Sequence, residues 1–367
     1  MKNLKKLTAF ILLIITLFSF TGCAKDENLG APSAERFGGN AVARCVWDVK
    51  VFDGKVYIGS GDYSANTAPT DIWAYDLSEK DWVLSGSVED ESVLRFIELD
   101  ETLLSPGTDP SEPWALGNFY TLSDGTWVKN RVLPNVIHNF DITDFDGKRM
   151  FAVGSDYGVS SCALYTEDGE TYTYFDFYAN NNLIEINESA YNRGYDFFKF
   201  KNELYILTYL TDTQKSASIF KYSDGAFHYY SNASSFFKND RISVNMINAK
   251  AEFRDKYYFI TDDLYYTEEQ DAFKTNTKVE LPNGERAVSI KVTGDEMIIL
   301  SYVKTENGTY DITLYSTKDG INFTKLRTVN FEVPPISFDI DGKFAFVGCG
   351  DKTKFNKNNG TVLKIKL

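Results

Sequence analysis

A strand–turn–strand pattern recurs along this chain of 367 residues and limits the folds that it can adopt. The clearest copies read WDVKVFDGKVYIGSG from Trp47 and FDITDFDGKRMFAVGSD from Phe140. Each alternates apolar and polar residues on both sides of a tight turn, which predicts two half-buried strands joined as a hairpin. Seven copies recur every 39 to 55 residues, with turns centred on Gly54, Glu101, Gly147, Asn202, Asp255, Gly294 and Gly342.

A second hairpin lies between successive copies of the first. It has a tyrosine-bearing strand, in most copies an Asp-Gly turn, and a strand with an aromatic residue, as in residues 120–127, 165–172, 222–227 and 315–323. Glycine supplies the positive φ that primed hairpin turns need, so Asp-Gly is a strong hairpin signal. Four strands per repeat at this period predict an all-β fold, a seven-bladed β-propeller of four-stranded antiparallel blades.

The last repeat stops at its third strand, in residues 361–367. A bare strand edge is an aggregation hazard. Either this edge stays open, or a segment near residues 34–44 crosses over and closes the ring, and the hazard of a bare edge favours closure.

The N-terminal segment has the pattern of an export signal. Lysines at positions 2, 5 and 6 precede an apolar run from Leu7 to Phe20, which is shorter than the roughly 20 residues a membrane span needs. The run ends in Phe-Thr-Gly-Cys at residues 20–23, which resembles the lipobox of bacterial lipoproteins, although the usual first leucine is Phe20. The resemblance implies that Cys23 is lipidated and anchors the protein to a membrane.

This interpretation divides the chain into a signal peptide at 1–22, a lipidated tether at 23–40 and a β-propeller at 41–367. The residues Ala-Lys-Asp-Glu at 24–27 resemble the acidic signals that send some lipoproteins of Bacteroidetes to the cell surface. Without residues 1–22 the chain has 35 basic and 52 acidic residues, a net charge of −17. Nucleic acid is therefore not an expected partner, because phosphate binding needs clustered cations.

Cysteine and histidine are too few for several classes of site. Beyond Cys23, the residues Cys45, Cys162 and Cys349 form no CxxC pair, which argues against a disulfide framework and a zinc site, although two of them could pair. His138 and His228 are the only histidines in the sequence. We predict no cofactor and no metal.

The Asp-Gly hairpins resemble the Asp-box of bacterial neuraminidase repeats, whose pattern is Ser-x-Asp-x-Gly-x-x-Trp. Residues 316–323 come nearest, but Asp319 stands one place late, and residues 166–172 are one residue short. In that family the box is a structural turn away from the active site. The resemblance therefore implies a sialidase-like propeller fold and says nothing about activity, and the Arg-Ile-Pro motif of sialidases is absent from the sequence.

Long connections are expected on one face of the ring, at residues 59–71, 105–118, 176–194 and 231–248. Long loops on a rigid scaffold commonly carry binding function. Six of the ten arginines cluster near this face, namely Arg44, Arg95, Arg131, Arg193, Arg241 and Arg286. They could bind an anionic ligand through paired hydrogen bonds to carboxylate. Alternatively, each could pair with an acid such as Asp48, Asp141, Asp196 or Glu285 and tie blades together.

Aromatic and acidic residues accompany the arginines on this face. Trp47, His138 and Tyr195 lie near the starts of inner strands, by which we mean the first strand of each repeat, next to the central channel. Trp114 lies on a long loop and is a candidate platform for a sugar ring, unless it packs onto its own blade. Aspartates recur where second strands end, where they could cap strand ends or line a cation site. They are Asp62, Asp109, Asp156, Asp262 and Asp351.

These features favour a surface-tethered binding module for a glycan or another anionic or cell-envelope ligand. Its expected ligand-binding residues are Arg44, Trp47, Asp62, Arg95, Trp114, His138, Arg193 and Tyr195. The alternative is a propeller-fold glycoside hydrolase or lyase, with Asp48, Asp109 or Asp141 acting beside His138 as candidate catalytic residues. A third possibility is a propeller that binds another protein.

Overall fold

The computed structural model of the protein describes residues 25–155, 161–181, 192–210, 217–233 and 249–367. These residues form antiparallel strands, with short 3-10 turns at Ala179–Asn181, Glu269–Asp271 and Pro282–Gly284. Within these ranges there is no helix of the length and apolar character needed to cross a membrane. The predicted signal peptide, residues 1–22, and Cys23 lie outside the described residues.

The described strands follow one another in chain order. The first eleven are β1 (Glu27–Asn28), β2 (Asp48–Phe52), β3 (Lys55–Gly59), β4 (Thr70–Asp76), β5 (Asp81–Val88), β6 (Asp90–Ser92), β7 (Ile97–Leu99), β8 (Thr102–Pro106), β9 (Thr108–Pro110), β10 (Leu116–Ser123) and β11 (Thr126–Pro134). The next eight are β12 (Val136–Phe145), β13 (Lys148–Ser155), β14 (Ala163–Thr166), β15 (Thr173–Tyr174), β16 (Arg193–Phe200), β17 (Glu203–Tyr209), β18 (Ala217–Ser223) and β19 (Ala226–Asn232). The last eleven are β20 (Lys250–Phe253), β21 (Lys256–Ile260), β22 (Leu264–Glu268), β23 (Thr277–Val279), β24 (Arg286–Thr293), β25 (Glu296–Lys304), β26 (Tyr310–Thr317), β27 (Thr324–Phe331), β28 (Pro335–Asp341), β29 (Phe344–Cys349) and β30 (Val362–Lys366).

The fold is an all-β propeller with four-stranded antiparallel blades, which confirms the predicted fold class at that level. Five sheets have four strands each: β2–β5, β7 with β8, β10 and β11, β20–β23, β24–β27, and β28–β30 with β1. The remaining sheet has ten strands, in which β12–β15 and β16–β19 each pair in sequence order. Gly154 on β13 pairs with Arg193 on β16, and β6 and β9 extend the sheet beside β12.

Several of the first hairpins of the repeats turn through two consecutive residues with positive φ. Asp53 and Gly54 have φ of 44° and 71°, and Asp146 and Gly147 have φ of 51° and 70°. Two consecutive residues in the left-handed region define the type I′ turn, whose twist matches that of the flanking strands. These two hairpins are β2–β3 and β12–β13, the first two strands of their blades.

The last sheet is closed by the N-terminal part of the domain. β1 pairs with β30, Glu27 opposite Lys364 and Asn28 opposite Leu363. A crossing strand exists, but it lies at residues 27–28 and not near residues 34–44. A two-residue strand carries no detectable alternation in sequence, which explains the error.

The core lies between neighbouring sheets. Tyr57, Phe96 and Trp127 pack with ring centroids 5.7 to 6.2 Å apart between the sheet of β2–β5 and the sheet of β7, β8, β10 and β11. Val49 and Phe346 belong to a cluster that packs the first of these sheets against the last. Such aromatic contacts add directional attraction to the burial of apolar area.

Candidate functional site

A buried ion network joins the inner strands. The Arg95 guanidinium lies 2.5 Å from Asp141 Oδ1 and 2.5 Å from Asp196 Oδ1. Lys250 Nζ reaches the same two carboxylates at 2.8 and 2.5 Å, and it also donates to the carbonyl of Phe197. Burial raises the pKa of Asp141, but Arg95 and Lys250 outweigh burial and hold it below the ordinary value. Buried acids already neutralise the charge of Arg95. The residue therefore ties blades together, which was the alternative to binding a ligand.

Aspartates of the inner strands also bond the backbone of the next blade. Asp48 Oδ2 accepts the amide of Phe96 at 2.7 Å, and Asp141 Oδ2 accepts the amide of Phe197 at 2.9 Å. Burial raises the pKa of Asp48 to about 6. Both aspartates were candidate catalytic residues. Here they are nearly inaccessible to solvent and committed to contacts between blades, so we remove them from the candidate site.

Other predicted ligand residues hold loops in place. Arg44 donates to the carbonyls of Gly38 and Lys357 at 2.8 and 3.0 Å and lies over the ring of Phe355. These contacts connect the N-terminal segment to the loop before β30, so Arg44 has little capacity left for a ligand. Arg131 likewise bonds Glu112 Oε2 at 3.0 Å.

The end-of-strand aspartates act mainly as caps. Asp62 Oδ1 accepts the amide and the hydroxyl of Ser64 at 3.0 and 2.7 Å, and Asp351 Oδ1 accepts both groups of Thr353 at 2.9 and 2.7 Å. Asp262 accepts the hydroxyl of Thr261 at 3.0 Å. No group of three or more potential metal ligands occurs in the described ranges. Asp156 and Arg241 lie outside those ranges.

Four predicted site residues meet on the long-loop face. His138 Nδ1 lies 3.4 Å from Asp109 Oδ1, and Arg193 Nη2 lies 3.0 Å from His138 Nε2. The His138 ring stacks on Phe140 at 5.4 Å, and Phe140 packs against Tyr195 at 4.9 Å. The strands β9, β12 and β16 position the ionisable residues, since Thr108 pairs with His138 and Gly154 pairs with Arg193.

The contacts of His138 fix its protonation. Arginine can only donate, so Nε2 must accept the hydrogen bond from Arg193, and the ring proton resides on Nδ1, facing Asp109. Burial, together with the charge of Arg193, holds the pKa of His138 well below its ordinary value. His138 is therefore neutral, and its basic lone pair is occupied. It is thus not available as a base for a substrate.

Asp109 is set apart from the other aspartates by its surroundings. It has a φ of 53° between Thr108 and Pro110, in the left-handed region that aspartate tolerates better than most residues. Burial and the nearby charge of Glu91 raise its pKa to about 7, against a smaller opposing effect of Arg193. Burial also raises the pKa of Glu91. Near neutral pH this pair therefore offers both a hydrogen-bond donor and an acceptor.

An open cleft of about 480 Å³ contains this pair, and we call it the acidic cleft. It is lined by Tyr63, Ser64, Asn66, Ala68, Glu91, Asp109, Pro110, Ser111, Glu112 and Trp114. The exposed fractions of Tyr63 and Trp114 are 38% and 45%, so both rings are open to solvent beside the carboxyl groups. Trp114 therefore does not pack fully onto its own blade. The charge of Glu112 is neutralised by Lys129 and Arg131.

Glu91 and Tyr63 line the cleft but are not among the site residues predicted from the sequence. Glu91 belongs to the run Glu89-Asp90-Glu91, in the short strand β6 that links two blades. Three consecutive acids outside the repeated hairpins were a signal that could have been used.

Replacing Glu91 by Gln should lower the pKa of Asp109, because the repulsion between two partly buried carboxylates is removed. The folded pKa of Asp109 lies above its ordinary value. The contribution of Asp109 to the free energy of unfolding is therefore fully present below pH about 4 and is lost as the pH rises through about 7. A carboxyl carbon-13 NMR titration measures this pKa. An unchanged midpoint in Glu91→Gln would contradict the coupling.

Solved structures of similar shape are also propellers. Virginiamycin B lyase from Staphylococcus aureus aligns over 94% of this chain and 99% of its own, at 12% identity and a TM-score of 0.55. A catalytically inactive variant of that enzyme, solved with quinupristin, aligns over the same shares at 12% identity and a TM-score of 0.53. The extracellular domain of a protein described as a hybrid two-component system from B. thetaiotaomicron gives 13% identity and a TM-score of 0.51, over 92% of this chain and 39% of that one.

Sequence comparison adds no assignment. No family model matches the chain, and no curated protein matches it. At 12 to 13% identity the structural likeness shows the fold alone. By fold the chain is a β-propeller protein.

Proposed function

We propose that this protein is a lipid-anchored, surface-exposed propeller that binds a glycan in the acidic cleft. The observation that carries the proposal is the exposure of two aromatic rings, Tyr63 and Trp114, beside the carboxyl groups of Glu91 and Asp109. Exposed aromatic rings offer flat apolar faces for sugar rings, and carboxyl groups bond hydroxyls. The cleft lies on the long-loop face, where repeat scaffolds commonly bind ligands.

The acidity of the cleft favours a neutral, hydroxyl-rich sugar over an anionic one. Asp62 and Asp90 lie close enough to add negative potential to Glu91, and Asp90 also adds to the potential at Asp109. An anionic sugar would be repelled, whereas hydroxyl groups can donate to the carboxylates. The ring of arginines expected from the sequence is not the basis of this proposal.

A glycoside hydrolase remains the second candidate because of one observation. Glu91 and Asp109 share a site, and the pKa of Asp109 is raised by burial and by Glu91 to about 7, which suits a general acid. Against it, His138 has its basic nitrogen engaged by Arg193. Release of reducing ends from a bound glycan would favour hydrolysis.

We infer that the ring has seven blades. In the ten-stranded sheet, β12–β15 and β16–β19 each form a unit of four consecutive strands, as β2–β5, β20–β23 and β24–β27 do in separate sheets. Seven apolar clusters each join two successive units, and one of them joins the last unit to the first. A crystal structure with six or eight blades would contradict this count.

We expect Cys23 to carry the lipid, with residues 24–26 as the link to β1. The Cys23→Ser variant should move from the membrane to the soluble fraction, because buried acyl chains supply about 0.8 kcal/mol per methylene. Labelling with a radioactive fatty acid tests this. An unlabelled wild-type protein would refute lipidation.

A glycan array tests the proposed site. The wild-type domain should bind neutral glycans, and Asp109→Asn should weaken binding, because it alters the charge and the donor that face the sugar. Asp124→Asn is the matched control, since Asp124 is an exposed turn residue on the opposite face with φ of 48°. Equal losses in both variants, or no binding of the wild type to any glycan, would count against the proposal.

A further inference from the structure

A second pocket on the long-loop face has the opposite electrostatic character, and we call it the basic pocket. It encloses about 370 Å³, within the size range of small-molecule sites. It lies among the starts of β24, β26 and β28 and the ends of β21, β25 and β29. The residues that matter for its chemistry are Trp47, Arg286, Tyr302, Lys304, Tyr310 and Lys352.

Three cations and one acid face this pocket, in a chain whose net charge is strongly negative. The acid is Asp351, which is engaged by the amide and hydroxyl of Thr353. Across the described part of the chain, no acidic group lies within ion-pair distance of Arg286, Lys304 or Lys352. Partial burial of the Lys352 ammonium, and repulsion from Arg286, lower the pKa of Lys352. Arg286 and Lys352 therefore sit close together, and Asp351, the acid that faces the same pocket, is not within ion-pair distance of either.

Aromatic rings form the walls beside these cations. Tyr302 and Tyr310 contact edge to face with centroids 5.6 Å apart, and the Lys304 ammonium lies 5.8 Å from the centre of the Tyr310 ring. Trp47 is held by a 2.7 Å hydrogen bond from its indole nitrogen to the carbonyl of Gly61. The pocket thus combines charged donors for an anion with rigid apolar surfaces for a ring.

We propose that the basic pocket binds the carboxylate of an acidic sugar, with Arg286 and Lys352 on the carboxylate and the tyrosines against the sugar ring. Arginine forms paired hydrogen bonds with carboxylates, and lysine adds a point charge. The choice of a sugar rests on the proposed function. The assignment of an anion rests on the cations alone. The same face would then offer one cleft for neutral sugar units and one pocket for acidic units.

Ligand-observed saturation-transfer NMR with glucuronate, glucose and inorganic sulfate tests the pocket. Glucuronate should bind and should weaken as salt is added, because exposed charges are screened. Glucose should displace bound glucuronate at least tenfold more weakly than unlabelled glucuronate does, because it lacks the carboxylate. Arg286→Gln combined with Lys352→Gln should weaken glucuronate binding at least tenfold, since each charged hydrogen bond is strong. Both side chains keep a large part of their surface in solvent, although the Lys352 ammonium is partly buried, so the melting temperature should change little.

The matched control is Lys354→Gln, an exposed lysine two residues from Lys352 that does not line the pocket. Its glucuronate binding should equal that of the wild type. An equal loss in the control, or undiminished binding in the double variant, would overturn the site. Sulfate binding as tightly as glucuronate would overturn the assignment to a sugar. Asp109→Asn should leave glucuronate binding intact, so failure of the basic pocket and failure of the acidic cleft are distinguishable.

Discussion

Replacing Arg95 by Met should lower the free energy of unfolding by about 3 kcal/mol, at the lower end of the range for breaking a buried ion pair. The variant leaves Asp141 and Asp196 buried without the guanidinium that lies 2.5 Å from each. Lys250 still contacts both carboxylates, which limits the loss. Urea denaturation followed by tryptophan fluorescence measures the change.

Arg149→Met is the control for this experiment. Arg149 forms a bidentate pair with Asp144 at 2.9 Å, but both side chains are about one-third exposed. Exposed pairs contribute about 0 to 1 kcal/mol. Equal destabilisation by the two substitutions would contradict a special role for the buried network. It would also return Arg95 to the list of candidate ligand residues.

Trp114→Ala should weaken glycan binding by about 2 kcal/mol, or roughly 30-fold, the magnitude typical of a central aromatic contact. The ring is 45% exposed and borders the carboxyl groups of Glu91 and Asp109. Its removal should leave the fold intact, because so much of the side chain faces solvent. Calorimetry with a glycan selected on the array gives the affinity.

Ile321→Ala controls for the loss of an exposed apolar side chain. Ile321 is 59% exposed at the hairpin turn that follows Asp319, on the opposite face. Its affinity for the glycan should match the wild type. If Trp114→Ala binds as well as Ile321→Ala, the sugar does not stack on Trp114, and the proposed cleft is wrong.

The hairpins could be predicted from sequence because their signals are local. Turn residues such as Asp53 and Gly54 require φ values that few residues adopt, and strand alternation is read within ten residues. The two copies nearest to the Asp-box behave as structural turns. Asp168 and Asp319 each accept backbone amides two and three residues ahead.

The sequence could not show which charged residues stabilise the fold and which belong to the candidate site. Arg95 and Arg193 both lie near inner-strand starts, yet Arg95 is neutralised by buried acids, whereas Arg193 bonds His138. The difference depends on which strands neighbour each other in the ring and on their register. A one-residue shift in strand pairing moves every side chain of the strand to the opposite face of the sheet. Contacts between residues about 100 positions apart, such as Arg95 with Asp196, leave no local pattern.

The most direct test of the glycan-binding proposal is a crystal structure of the domain with an array-selected glycan. We expect a sugar ring against Trp114 or Tyr63, with hydroxyl groups within hydrogen-bond distance of Asp109 and Glu91. A glycan seated on the hairpin-turn face, or well-ordered ligand with no contact to the acidic cleft, would contradict it.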